Sequence, residues 1–355
     1  MSRFLVIHSD DPSLGRGSRG QTLASFLRCF AGYRNVRELA SSELSRRRSE
    51  TAECVFIGVP TRLKPEQLSL LRASQIILFD YTDAPDTTWG ASDSSFLLSL
   101  TNRYFKTCVE PQWDPSIHWG CLPVQTSWKL TLELWKRSVR EWRGGGKIPK
   151  KEVDIGLSGD SDSFQQKLGS KKVLYPQHLK WMKELACQNR WTKWGGIGVD
   201  KKGLADLQDR YGNVSDIVCR QSSRLTYRKL FQKMSASKVM LAPAGRSRWT
   251  RRLHEAVYAR SMILSTDLSE SRLLIPQPVQ NLVYVEDHKP VSPFIPVAHS
   301  LFNVNPDCVL DAERELERYL RFGQYSRRRP RVWERFEEEL IGISFSQTAT
   351  RRDSA

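Results

Sequence analysis

The chain has no Cys-x-x-Cys pair, no long apolar run and no internal repeat, and each absence removes a class of protein. The seven cysteines are scattered and odd in number, which argues for reduced, structural thiols and against a disulfide framework or a redox pair. His118-Trp-Gly-Cys121 has the gap of a zinc-ligand pair, but no second pair follows to complete four ligands, so no metal site is expected. No stretch approaches the roughly 18 consecutive apolar residues of a membrane span. Zinc-finger and homeodomain spacings are absent, and no basic run is interleaved with aromatics in an RNP-like or OB-like pattern. Nucleic acid is therefore not expected as a partner.

What is present is globular. The 355 residues are 39% hydrophobic, 10% aromatic and 26% charged, enough to bury a sizeable core, with two domains as the natural expectation. Lysine and arginine number 55 against 39 acids, a formal charge of +16 that draws polyanions to the surface. Part of it lies in runs at Arg46–Arg48, Lys147–Lys151, Lys171-Lys172 and Arg327–Arg331. A basic face on an enzyme, with peripheral docking at an anionic membrane surface, accounts for it; ordinary solubility charge is the competing account. The opening MSRFLVIHSDD has a short apolar run, Phe4–Ile7, before acids appear. It reads as a first strand and not a signal peptide, so the expected location is cytoplasmic, with that peripheral membrane contact.

The segment Met234–Asp267 organises the rest. Val239–Ala242 is a short apolar run suited to a buried strand. Pro243, Gly245 and Ser247 break regularity, and Thr250 is a plausible N-cap for a helix running to about Tyr258. Met262–Ser265 is a second apolar run, which makes the unit a βαβ crossover with parallel strands. The helix start carries unpaired N–H groups and the positive end of the macrodipole. Arg246, Arg248, Arg251 and Arg252 are close to it in sequence. Backbone donors and guanidinium forks both match phosphate oxygens, so the combination suits a diphosphate. Glu255 follows one turn later. Two readings of it stand: acceptor for a ribose diol, as in dinucleotide folds, or half of an ordinary surface pair with Arg251.

The run Ser237-Lys-Val-Met-Leu-Ala-Pro-Ala-Gly245, then Arg252-Leu-His-Glu255-Ala256, then the strand closing on Asp267, resembles the donor-site segment of exostosin-like glycosyltransferases. More broadly it is similar to the C-terminal nucleotide-sugar domain of GT-B glycosyltransferases. Arg260-Ser261 stands where that family usually has Gly and a small residue, and Met262-Ile263-Leu264 replaces Ile/Val-Pro-Val. The resemblance implies an α/β fold of two Rossmann-like domains facing each other across a cleft. It implies that Arg252 binds the donor diphosphate and that Glu255 binds the nucleoside ribose; Arg248 and Gly245 are further candidates for the diphosphate. It also implies that the nucleotide sugar is a substrate, with no cofactor and no metal ion. Asp160-Ser-Asp162 has the letters of a metal-binding DxD pair in a different setting.

Elsewhere, Phe4–His8 reads as a strand, and Gln21–Phe30 as a helix on the spacing of Leu23, Phe26, Leu27 and Phe30. Gly15, Gly17 and Gly20 form a literal G-x-G-x-x-G, but the loop before them is too long for a dinucleotide turn, and an acceptor-facing loop suits them better. Cys54–Ile57 is a strand, Lys64–Ala73 a helix and Gln75–Phe79 a buried strand ending in Asp80-Tyr-Thr-Asp83. Acids at the C-terminal end of a parallel strand lie where open sheets bind ligands. Asp83 or Asp80 is thus a candidate general base toward an acceptor hydroxyl, or a simple turn cap. His118 is either a base or a core histidine. Ser127–Arg143 is a Trp-rich amphipathic helix, and Gly144–Lys151 reads as a linker. Val153–Leu157 opens the second sheet. Gly159, in the loop expected after it, can allow close approach to the donor. Lys201–Tyr211 and Arg224–Met234 read as helices; Tyr227 and Arg228 are either donor contacts or surface residues.

The expected organisation is an N-terminal Rossmann-like acceptor domain over 1–145 and a nucleotide-sugar-binding domain over 152–325. A terminal helix within 326–345 packs back on the first domain, and 346–355 is a disordered tail. The expected function is transfer of a sugar from a nucleotide-diphosphate donor to a hydroxyl of a glycan, lipid or protein acceptor. The alternative is a non-catalytic α/β binding module whose basic surface engages nucleic acid or an anionic membrane.

Overall fold

The computed structural model describes residues 2–9, 20–44, 49–58, 63–81, 101–124, 128–142, 148–160, 165–168, 171–174, 176–198, 225–244, 248–320 and 331–340, with a few single positions between them. The chain forms two compact units. One comprises Met1–Gln125, Ser271–Ile275 and Tyr319–Ala355, the other Thr126–Glu270 and Pro276–Arg318.

The first unit is built on β1 (Ser2–His8), α1 (Gly20–Ala31), β2 (Val36–Ala40), β3 (Glu50–Gly58), β4 (Leu71–Asp80), β5 (Arg103–Lys106), β6 (Cys108–Val109) and β7 (His118–Cys121). Six of these strands form one parallel sheet in the order β2-β1-β3-β4-β5-β7. Phe4, Leu5, Val6 and Ile7 are all buried in β1, as expected of a parallel strand covered on both faces. The core is aromatic. Phe336, on a helix over 331–340, meets the rings of Phe26 at 5.2 Å and of Phe56 and Phe105 at 6.2 Å, and Trp333 stacks on Phe30 at 5.1 Å.

Two expectations for this unit need correction. The helix expected over Lys64–Ala73 is a single turn, Pro65–Leu68. Leu71, Arg72 and Ala73 instead pair with Glu50, Thr51 and Ala52 of β3, and that ladder overrides their helical spacing. Asp80 is not an accessible base. Its carboxylate is fully buried and accepts hydrogen bonds from Lys106 Nζ at 2.7 Å and Tyr104 Oη at 3.2 Å.

The second unit opens with α2 (Trp128–Trp142). It continues through β8 (Val153–Asp160), the hairpin β9 (Gln165–Leu168) and β10 (Lys171–Leu174), α3 (Pro176–Ala186), β11 (Lys193–Gly198), β12 (Val218–Cys219), α4 (Tyr227–Ala236), β13 (Ser237–Ala242), α5 (Arg251–Tyr258) and β14 (Met262–Thr266). Then β15 (Arg272–Leu273) pairs antiparallel with β6 in the first unit's set, before β16 (Leu282–Val285), α6 (Phe294–Val304) and α7 (Cys308–Leu320). The helix over 331–340, α8, follows. The second sheet is parallel throughout, in the order β12-β11-β8-β13-β14-β16. Counted within the unit this is 3-2-1-4-5-6, the doubly wound Rossmann order, whose switch point lies between β8 and β13.

The helix α2 groups with the second unit, whereas the sequence reading carries the first domain to 145. Its anchors are charged: Arg137 donates to the Tyr258 carbonyl and to Glu313, and Glu141 accepts from Arg260 at 2.5 Å. The strand β8 runs to Asp160, three residues beyond the expected end, because it continues to pair with β11; Gly159 therefore lies in the ladder opposite Ile197 and not in a loop. Gly195 of β11 has φ +94°, and a Cβ there would lie 1.6 Å from the Leu157 carbonyl oxygen, so only glycine fits.

Candidate active site in the second unit

The segment around β13 and α5 folds as its residues dictate. Val239, Met240 and Leu241 are buried in β13, and Met262, Ile263 and Leu264 in β14, paired in parallel from Val239↔Met262 to Ala242↔Ser265. Thr250 caps α5, its hydroxyl accepting from the Arg252 backbone N–H at 3.4 Å. Arg260 N–H bonds to the Val257 carbonyl and Ser261 N–H to that of Ala256, which closes the helix with a Schellman motif. Arg260 itself sits at φ +56°, the left-handed position where the resembled family carries glycine. The strain of a non-glycine residue there, about 1–2 kcal/mol, is opposed by guanidinium bonds to Glu141 (2.5 and 3.1 Å) and Glu313 (2.6 Å).

At the start of α5 stand three arginines. Arg252 donates through Nη1 to Glu255 Oε2 at 2.5 Å, and Arg251 Nε lies 3.9 Å from Oε1. Tyr227, on the first turn of α4, donates its hydroxyl to Glu255 Oε1 at 3.1 Å. The Glu255 side chain is only 3% exposed, so the surface ion-pair reading does not describe it. Burial and the neighbouring Glu255 push the Tyr227 phenol well above its ordinary pKa, which keeps it a donor. Arg248 donates to the Asp267 carbonyl at 2.9 Å and to Asp287 at 2.6 Å. Three guanidinium groups thus stand at or just before a helix N-terminus, Arg251 and Arg252 beside Glu255 and Arg248 beside Asp267 and Asp287. Arg252 also keeps N–H groups beyond the one given to Glu255.

Behind this surface lie two histidines. His254, fully buried in α5, has no hydrogen-bond partner at either ring nitrogen and packs edge-on against Trp249, ring centroids 5.3 Å apart. His178, near the start of α3, bonds to the Ala244 backbone on the loop after β13. Burial holds both imidazoles down to about 3, hence neutral.

The structure thus brings together Arg252 and Glu255 and adds Tyr227, while Arg248 is held at Asp267 and Asp287. Arg228 is exposed on the second residue of α4, next to Tyr227, which makes the bond to Glu255. Gly245 and Asp83 lie outside the described residues, as do Gly15, Gly17, Asp162, most of 201–211 and the tail. In the first unit His118 is half-buried and lines a cavity of about 300 Å³ with Arg335, Glu338 and Glu339; burial lowers its pKa. Sequence reading missed Asp287, although it lies two residues past the end of a parallel strand, where such sheets place functional acids. It also missed His254, which hides within the Arg-Leu-His-Glu run.

No protein-family model matches the chain, and no curated protein matches it in sequence. Solved structures do. A glycosyltransferase from Rickettsia africae superposes with a TM-score of 0.52 at 10% identity, over 96% of this chain and 99% of that one. The N-terminal domain of trehalose-6-phosphate phosphatase from Candida albicans gives 0.52 at 11% identity, over 98% and 97%. At such identity the likeness is one of fold. The expected class, an α/β chain of two Rossmann-like domains as in GT-B proteins, is the class observed.

Proposed function

We propose that the protein is a glycosyltransferase and that its second unit binds a nucleoside-diphosphate sugar. The observation that carries this reading is the buried Glu255 carboxylate, held by Tyr227 and Arg252 one turn behind an arginine-rich helix start. The fold shared with the Rickettsia africae glycosyltransferase is in keeping with it, although fold alone does not determine function.

In this reading the diphosphate lies against the N-terminus of α5, where Arg252 and Arg248 donate to its oxygens and Gly245 permits close backbone approach. As the bond from anomeric carbon to phosphate oxygen breaks, negative charge grows on the departing diphosphate. Fixed guanidinium groups and the helix dipole are already oriented toward it, so stabilisation needs no reorganisation. The same cations do the work a metal ion does in other transferases, and the proposal includes neither metal nor cofactor. Glu255 accepts from the ribose hydroxyls, with Tyr227 fixing its orientation. Gly159, in β8 at the switch point, gives the donor room to approach backbone, and Arg228 is an outer contact. Asp83 is the proposed base for the acceptor hydroxyl, since Asp80 is committed to Lys106.

Equilibrium titration with UDP, GDP and ADP, followed by donor hydrolysis with the corresponding sugars, tests the reading. One nucleoside diphosphate should bind at micromolar concentration and lose affinity in Arg252→Ala and Glu255→Ala. No binding by any of them, or unchanged affinity in both variants, would favour the non-catalytic binding module.

A further inference from the structure

The helix α2 carries an apolar stripe that faces outward. Trp128, Leu132, Trp135, Val139 and Trp142 follow a 4-3-4-3 spacing, which aligns them within about 40° either side of one line along the helix. All five are exposed, the indoles by 67%, 61% and 88%. The opposite face is spent on the protein: Leu130 and Leu134 are buried, and Arg137 is tied to Tyr258 and Glu313. A core does not explain the stripe, since a helix needs only one apolar face to pack.

Its flank is cationic. Lys129, Lys136 and Arg140 lie along one side of the stripe at the same helical spacing. The helix's two acids are turned away: Glu133 is buried and paired with Lys136 at 2.9 Å, and Glu141 is held by Arg260. The exposed surface of α2 is therefore mainly tryptophan, aliphatic and basic, its two carboxylates both engaged by cations. A second copy of the chain is a poor occupant, because a two-fold contact would set like-charged flanks of a +16 protein side by side. An anionic bilayer surface complements both features, since indoles favour the headgroup level and amines pair with lipid phosphates. The helix, about 22 Å long, lies on such a surface and does not cross it; among the described residues no helix is long and apolar enough to span.

We propose that α2 docks the protein on an anionic lipid surface, with Trp128, Trp135 and Trp142 seated at the headgroup boundary. The inference stands apart from the donor-site reading, since none of these residues belongs to that site.

Sedimentation of the full chain with phosphatidylcholine vesicles, with and without phosphatidylglycerol, tests it, together with intrinsic fluorescence on vesicles carrying brominated acyl chains. The wild type should bind the phosphatidylglycerol vesicles and lose part of its tryptophan emission to bromine. Trp128→Ser/Trp135→Ser/Trp142→Ser should bind on the order of tenfold more weakly or worse, with unchanged melting temperature and nucleotide affinity. Lys129→Gln/Arg140→Gln should weaken binding to phosphatidylglycerol vesicles alone. Wild-type binding without bromine quenching would overturn the proposal even if the triple variant failed to fold. Vesicle binding retained within about twofold by a folded triple variant, or a dimer in sedimentation equilibrium that the triple variant abolishes, would overturn it as well.

Discussion

Replacing Arg252 by alanine separates its structural from its binding role. The guanidinium lies 2.5 Å from the Glu255 carboxylate; the acid is 3% exposed and the arginine 24%. Removing one partner of such a pair strands a buried charge, and losing a hydrogen bond to a charged group costs about 1.5–3 kcal/mol. Two features reduce that figure. Tyr227 still donates to the other oxygen, and Arg251 lies 3.9 Å from it, although its 59% exposure leaves solvent to screen the attraction. A loss of about 1–2 kcal/mol is expected, a fall in melting temperature of roughly 2–8 °C for a unit of this size. If Arg252 also grips the donor diphosphate, the affinity for the nucleoside diphosphate should drop on the order of 10- to 100-fold, the equivalent of one charge-assisted contact. The affinity for the bare nucleoside should change little. Differential scanning fluorimetry and calorimetric titration of both ligands read these two effects separately. A variant that melts several degrees lower but binds both ligands as the wild type does would make Arg252 a positioning residue for Glu255 and refute the diphosphate assignment.

Three further outcomes follow from the packing. Lys106→Met should cost about 3–5 kcal/mol by stranding Asp80, and adding Asp80→Asn should recover much of it; equal denaturation midpoints for single and double variants would contradict the buried pair. Arg260→Ala keeps the left-handed strain and loses the bonds to Glu141 and Glu313, so it should be less stable than Arg260→Gly by about 1 kcal/mol in urea unfolding. His178 and His254 titrate near 3 in the folded protein against about 6.5 in the unfolded chain. Between those values the unfolded chain binds more protons, so stability is complete above about 6.5 and falls with pH below it, by about 2 kcal/mol per histidine at about pH 5; His254→Leu should flatten that slope, and an unchanged slope would mean the imidazole is not buried neutral.

Legibility of the fold in the sequence tracked the locality of the determinant. The Val239–Ala242 strand, the Thr250 cap, α5 and the β14 strand were all readable, because buried strands, N-caps and helix periods are written in adjacent residues. Leu71–Ala73 was misread because its strand state comes from β3, some twenty residues earlier in the chain. Gly159 was assigned to a loop for the same reason: only the partner strand β11 extends the ladder to Asp160. Within the site, Arg252 and Glu255 were visible as an i, i+3 pair. The burial of Glu255 and its bond to Tyr227, 28 positions away, come only from α4 packing beside α5. Asp80 shows the converse, a site-like acid at a strand end whose partner, Lys106, makes it part of the core.

The polypeptide passes between its two compact units four times, at 125/126, 270/271, 275/276 and 318/319. A ribosome therefore releases everything the second unit needs by residue 318, while the first still lacks Trp333 and Phe336 for its aromatic centre. Of the two units the one begun first is finished second, so in the interval the rings of Phe26, Phe56 and Phe105 wait for a cover that residues 331–340 supply.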